Sequence, residues 1–232
     1  MKAVILAAGK GERLGAITQK TPKPMIKIAG KPVLEHNILM CKNSGVEEIF
    51  INLHHLPNVI ERYFKNGESW GVKINYKYES KLLGTAGTVS SLKEFLDTPF
   101  FVIYGDNYFG SDFNLQEIKQ FHEEKKSDFT MVLSHLDDVS QSGIIEITNN
   151  GSIKSFIEKP INEVSNNSWI NAGIYFMEPI IVDKIKNGYT DFGKDVIPCL
   201  IESDYYVYGY KMKNNVIPID TPELLGQTTN NQ

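Results

Sequence analysis

Cysteine is scarce in this chain: two residues, Cys41 and Cys199, in 232. There is no CxxC and no Cys/His cluster at zinc spacing, so neither a disulfide framework nor a structural zinc is expected, and two reduced thiols fit a cytosolic protein. Long apolar runs are missing too, since a membrane helix needs roughly 18 residues. The N-terminal apolar run is too short for a signal peptide and passes into glycines instead of a small-residue cleavage site. A cytoplasmic protein with no membrane partner is the expectation. Basic charge is not in excess: 24 Lys+Arg stand against 28 Asp+Glu, a net charge of −4, which argues against a broad nucleic-acid surface. No repeat or low-complexity linker occurs. No nucleophile–base constellation of the hydrolase kind stands out either.

What remains is an ordinary globular composition, 41% hydrophobic, 22% charged and 11% aromatic. Its length suits one large α/β domain or two small ones. Lys2–Ala7 reads as a buried strand, Pro32–Lys42 as a helix with Leu34, Ile38 and Cys41 on one face and Gly45 as its stop, and Glu48–Leu53 as the next strand. A helix over Leu56–Lys65, a strand over Val72–Tyr78, a helix over Thr85–Phe95 and a strand over Phe100–Tyr104 continue the alternation. This order predicts a mainly parallel sheet with helices on both faces. After about residue 127 the pattern changes to short strands at Phe129–Ser134, Ile144–Thr148, Ile153–Ile157 and Ile174–Met177, with Asn149-Asn150-Gly151 as a hairpin signal. Helices are expected at Glu178–Ile185 and Val196–Glu202, a strand at Tyr205–Met212 and an extended piece at Val216–Ile219. A single domain over 1–226 is expected, with a polar, disordered tail over 227–232.

The richest chemistry lies in the first loop, LAAGKGERLG. A dinucleotide fingerprint would need a third glycine where Leu14 stands and a helix straight after, but Pro22 and Pro24 prevent that helix. No acidic residue ends the second strand to hold a ribose, and no G-x-x-x-x-G-K-[ST] phosphate loop occurs. The loop therefore offers Gly9 and Gly11, whose backbone can approach phosphate closely, with Arg13 as a planar fork and Lys23 as a point charge stiffened by two prolines. Taken one at a time, each cation could equally be a solvated surface charge.

The stretch AVILAAGKGERLGAITQKTPKPMIKIAGKPVLEH resembles the signature of the sugar-phosphate nucleotidylyltransferases, also called nucleotide-sugar pyrophosphorylases. Further matches follow in order at Leu83-Gly84-Thr85-Ala86-Gly87-Thr88, Tyr104-Gly105-Asp106, Phe156-Ile157-Glu158-Lys159-Pro160, Asn171-Ala172-Gly173-Ile174-Tyr175 and Phe192-Gly193-Lys194-Asp195-Val196-Ile197-Pro198. The likeness implies an α/β, Rossmann-like three-layer sandwich with a mainly parallel mixed sheet and an appended small antiparallel β lobe. It implies a nucleotide-binding part over about 1–110 and a sugar-binding part over about 111–226. The reaction implied joins a sugar 1-phosphate to a nucleoside triphosphate with release of pyrophosphate, assisted by Mg²⁺, and feeds polysaccharide or glycoconjugate synthesis. Because the sugar phosphate is itself the nucleophile, no serine, cysteine or histidine need attack.

By this resemblance Arg13, Lys23 and Asp106 are the catalytic candidates. Leu6, Ala8, Gly9, Gly11 and Arg13 of the first loop, with Glu79, Gly84, Thr85 and Gly87, would bind the nucleotide. Gly84 and Gly87 would let a base lie against backbone, and Thr85 could cap the next helix. Gly143, Glu158, Lys159, Asn171 and Gly173 would bind the sugar phosphate. Asp106 follows a parallel strand, where α/β ligands gather, and is the first metal candidate. Asp220 is the second, although Pro218 stands where relatives usually carry aspartate, and an N-cap role for Asp220 stays open. The GTAG form is closer to mannose- or heptose-phosphate guanylyltransferases, which favours GTP. A cytidylyltransferase acting on a small phosphorylated alcohol and a silent nucleotide-sugar sensor are the alternatives. No long C-terminal extension follows, so no added left-handed helix or acyltransferase domain is expected; oligomeric state is open, with a homodimer among the options. His54-His55 reads as a loop feature, the tyrosines of 205–210 as strand packing, and Glu123–Lys126 as a solvated helix end.

Overall fold

The computed structural model describes residues 1–135, 143–158 and 169–219, of which Glu158 is described by its backbone alone. From the N-terminus come β1 (Lys2–Leu6), the short strands β2 (Lys27–Ile28) and β3 (Lys31–Pro32), α1 (Val33–Asn43), β4 (Glu48–Leu53) and α2 (Pro57–Phe64). Next are β5 (Lys73–Tyr78), α3 (Gly84–Ser90), β6 (Phe100–Tyr104), β7 (Asn107–Tyr108) and α4 (Leu115–Lys125). Then follow β8 (Phe129–His135), β9 (Gly143–Ile147), β10 (Ile153–Glu158), β11 (Trp169–Met177) and α5 (Pro179–Val182). A π turn (Phe192–Val196), α6 (Ile197–Ile201), β12 (Val207–Lys211) and β13 (Ile217–Pro218) complete the described chain.

Two compact units emerge. The first holds Met1–Leu82, Val102–Leu115 and the segment starting at Ile217. In it the strand order is β6-β1-β4-β5, with β1 parallel to β4 and β4 parallel to β5. Ala3, Val4 and Ile5 of β1 and Ile49 and Ile51 of β4 are fully buried. Unbroken apolar runs of this kind are what a parallel strand covered on both faces needs. Helix α1 buries Val33, Leu34, Ile38 and Cys41, spaced to one face. It stops at Ser44, and Gly45 follows at φ 80° with its N–H on the Lys42 carbonyl.

The second unit holds Leu83–Phe101 and Gln116–Val216. Here β10, β9, β11 and β8 pair antiparallel in that order, and β12 joins β8 in parallel. The α/β class and the added antiparallel strands agree with the sequence reading, as do β4 and β6 to the residue.

Several elements differ. The expected helix over 85–95 is α3 followed by a separate 3₁₀ turn at Lys93–Phe95. The Thr88-Val89-Ser90-Ser91 run is poor helix material, and the Ser91 hydroxyl turns back onto the Thr88 carbonyl at 2.7 Å. Thr85 is not the cap: Leu83 holds that position, and the Thr85 hydroxyl is engaged elsewhere. Helix α5 is far shorter than 178–185, and a π turn precedes α6. Strand β11 starts five residues before the expected Ile174, because Asn171-Ala172-Gly173 forms a bulge inside the strand and does not precede it. The expected tail over 227–232 lies outside the described residues.

Candidate functional site

The first loop is shaped by its glycines. Gly11 sits at φ 64°, and a Cβ there would stand 2.8 Å from Thr18 Cγ2 and 3.2 Å from Lys23 Cβ. Only glycine allows both the left-handed backbone and this approach. The Thr18 hydroxyl bridges the Gly11 and Gly15 carbonyls at 3.0 and 3.2 Å. His55 in turn donates Nε2–H to the Thr18 carbonyl at 2.8 Å. The loop is therefore folded onto itself before any ligand arrives.

Lys23 stands in a 3₁₀ turn opened by Pro22. Its side chain is 9% exposed, and Nζ meets Asp106 Oδ2 at 2.5 Å. Burying the ammonium is tolerable because the carboxylate compensates it. Asp106 lies just past the end of β6. Gly105 before it donates to the Leu6 carbonyl at 2.9 Å, and a Cβ on Gly105 would reach within 2.8 Å of that oxygen. On the other side Ile219 N–H donates to the Asp106 carbonyl at 3.1 Å, next to the antiparallel pairing of β13 with β7. Gly9, Gly11, Arg13, Lys23 and Asp106, with Lys10, Glu12 and Leu82, line one cavity of about 450 Å³. Arg13 is exposed at its wall, and Leu6 and Ala8 belong to the β1 end that leads into it.

Glu79 is buried, and its Oε1 accepts from the Asn52 amide at 2.9 Å. Asn52 Oδ1 in turn accepts the Ala7 N–H at 2.7 Å. His54 Nδ1–H donates to the Glu79 carbonyl at 2.8 Å. Glu79 thus supports the root of the glycine loop through Asn52. Asn52 is the residue that sequence reading missed. Its signal was an amide inside the apolar run EIFINL, since a buried amide must be paired.

In the second unit, Gly84 and Gly87 on α3 are filled by protein backbone. A Cβ at Gly84 would lie 2.4 Å from the Thr190 carbonyl oxygen, and one at Gly87 2.2 Å from that of Gly188. Thr85 donates to Asp191 Oδ2 at 2.9 Å and accepts from Phe192 N–H at 2.8 Å. Gly143 and Glu158 face each other across β9 and β10. The β11/β9 register, Ile170 opposite Ile144, brings Asn171 level with Gly143, so three candidates share one end of adjacent strands. Gly173, at φ 78°, makes the β11 bulge, and Asn171 closes it: Oδ1 accepts Gly173 N–H at 2.9 Å and Nδ2 donates to the Tyr175 hydroxyl at 2.6 Å. Lys159 and Asp220 lie outside the described residues, as does the side chain of Glu158.

Comparison with known proteins adds independent findings. The family model described as nucleotidyl transferase matches residues 2–216. A UTP–glucose-1-phosphate uridylyltransferase of Synechocystis sp. is 37% identical over 227 residues, covering 91% of this chain and 58% of its own length. The mannose-1-phosphate guanylyltransferase catalytic subunit beta of Drosophila pseudoobscura pseudoobscura is 33% identical over 205 residues, covering 87% of this chain and 54% of its own. The chain thus spans little more than half the length of these relatives. The crystal structure of HddC from Yersinia pseudotuberculosis complexed with GMP-PN has a TM-score of 0.82 at 25% identity, covering 99% of this chain and 98% of that one. With a family match over nearly its whole described length, around a glycine loop and an aspartate at a strand end, the chain belongs to the nucleotidyl transferase family.

Proposed function

We propose that the protein is a sugar-1-phosphate nucleotidylyltransferase, with GTP as the favoured nucleotide. The observation that carries this reading is the buried Lys23 ammonium held at 2.5 Å by the half-exposed Asp106 carboxylate, on the wall of the cavity that Gly9, Gly11 and Arg13 also line. A phosphate oxygen of the sugar 1-phosphate attacks the α-phosphorus of the triphosphate. The bond from that phosphorus to the bridging oxygen breaks, and pyrophosphate leaves with the electron pair. Such a transfer asks the protein for alignment and charge, not for a nucleophile. Gly9 and Gly11 let backbone N–H groups approach the phosphates, and Arg13 holds the triphosphate. Lys23 shifts its charge from Asp106 toward the reacting phosphates. Lys159 and Glu158 hold the sugar phosphate with Gly143, Asn171 and Gly173.

Among the described residues no group of three or more metal-ligating side chains occurs. One hard carboxylate on the wall of the cavity of about 450 Å³ nevertheless fits Mg²⁺, which takes one or two carboxylates and completes its shell with phosphates and water. Asp106, with Asp220, would hold it; when bound, Mg²⁺ neutralises charge building on the phosphates. Residues of about 1–110 then serve the nucleotide and those of about 111–226 the sugar, in one catalytic domain. The enzyme acts on small molecules in the cytoplasm; no helix among the described residues is long and apolar enough to cross a membrane.

A uridylyltransferase is the second reading, favoured by the 37% identical Synechocystis relative. Pyrophosphate release from a matrix of GTP, UTP, CTP, dTTP and ATP against mannose, glucose and heptose 1-phosphates decides. GTP with a manno-configured sugar is expected to react fastest. UTP with glucose 1-phosphate reacting fastest would select the second reading, and no release from any pair would overturn both.

A further inference from the structure

Residues 184–200 use two faces differently. One face is bonded to α3: the Thr190 carbonyl accepts from Ala86 and Gly87 N–H at 2.9 and 3.0 Å, and Thr190 N–H donates to the Leu83 carbonyl at 2.9 Å. The other face lines a cavity of about 410 Å³ that shares no residue with the one around Lys23. Lys184, Lys186 and Lys194 stand around it with Tyr189, Asp195 and Cys199.

The charge there is unbalanced. No ion pair joins any of the three ammonium groups to a described carboxylate, whereas Lys93 in the same unit pairs with Asp183 at 2.8 Å. Lys184 rests over the Tyr205 ring, 5.7 Å from its centre. Asp195, the one carboxylate on the wall among the described residues, spends Oδ2 on the Asp191 N–H at 2.8 Å. The backbone N–H groups of Gly193 and Lys194 are taken by the Asp191 side chain. Three lysines lining a concave surface attract an anion, and with those two N–H groups committed the lysines must supply the recognition.

We propose that this cavity binds a phosphorylated small molecule, gripped through its phosphate by Lys184, Lys186 and Lys194. The site acts as an effector site, because the loop it engages is the one hydrogen-bonded to α3, the helix of the Gly84-Thr85-Ala86-Gly87 motif. An occupant that shifts Thr190 or Asp191 moves α3 through at least four hydrogen bonds described above.

Cys199 provides a local reporter. It is exposed on the cavity wall, while Cys41 is fully buried and its thiol is pushed far up by burial. The rate of Cys199 alkylation by neutral N-ethylmaleimide is measured with sodium phosphate, mannose 6-phosphate or GMP, at ionic strength matched with sodium chloride. Phosphorylated probes are expected to slow alkylation several-fold and chloride is not; the better of mannose 6-phosphate and GMP identifies the source of the phosphate. Protection is expected to persist in Lys23→Ala, which removes the buried lysine of the other cavity. Its apparent affinity should fall at least about tenfold in Lys186→Ala and in Lys194→Ala, each losing a charge-assisted contact. Exposed lysines tolerate such truncation without unfolding, and Lys186→Glu provides a second test by charge reversal. The proposal is overturned if no probe slows alkylation, if protection vanishes in Lys23→Ala, or if all three cavity variants are protected like the parent.

Discussion

Lys23 and Asp106 neutralise one another in a cavity otherwise rich in cationic and backbone donors. Removing Asp106 takes a carboxylate from the buried Lys23 ammonium, removing Lys23 takes the cation from the half-exposed Asp106, and either change deprives the phosphates of a contact. Lys23→Ala and Asp106→Asn are each expected to lower kcat by about 10²-fold or more, the usual effect of losing one preorganised electrostatic partner. Steady-state pyrophosphate release measures it, and a change of less than about threefold would remove the residue from the catalytic set. Gly11→Ala should act through the same pair, because its new methyl presses on Thr18 Cγ2 and Lys23 Cβ in a left-handed backbone. Gly9→Ala meets nothing within 4 Å and should leave thermal stability nearly unchanged. A comparison of their melting curves and rates tests whether the constraint on Gly11 is steric.

Strands and turns show which elements a sequence discloses. β4 and β6 were legible because their runs EIFINL and FFVIY are mostly apolar and rich in β-formers, with His54-His55 closing the first and Pro99 and Gly105 bounding the second. The glycine loop was legible because two prolines forbid the helix a dinucleotide fold would need. The function of Asn52 was not legible, since its partners Ala7 and Glu79 lie 45 and 27 residues away. Nor was the bulge at Gly173: Asn and Gly look the same in a turn and in a bulge, and only pairing with β8 tells them apart. The Gly84 and Gly87 motif reads as ligand-facing in sequence, yet both glycines abut the backbone of 188–190. Gly87→Ala should therefore destabilise by about 1–3 kcal/mol through overpacking. For a chain of this size that is about 2–4 °C of melting temperature per kcal/mol. An unchanged melt would show that the loop of 188–190 yields.

For the molecule as a whole, acidity should matter through one buried imidazole. His122 is 2% exposed, with Nδ1 at 2.8 Å from Thr130 Oγ1 and Nε2 at 3.4 Å from Glu178 Oε1. Burial holds its pKa below the ordinary histidine value, although Glu178 pulls the other way. Folding thus favours the neutral ring. Its contribution is fully present above the unfolded pKa of about 6.5 and is lost as pH falls through the lower folded value. Melting temperatures taken from pH 8 to pH 5 should fall on the acid side, and His122→Gln should flatten that fall; parallel curves would assign it to other groups.

Asp106 itself is held by the peptide units on either side of its side chain, through Gly105 to Leu6 and through its own carbonyl to Ile219. A carboxylate anchored at both ends of its backbone keeps its address while the loops around it rearrange. Isotope exchange should register this anchorage: the Gly105 and Ile219 amides would outlast those of the exposed first loop by orders of magnitude, so that new specificities could be grafted onto the rim without relocating the acid at its centre.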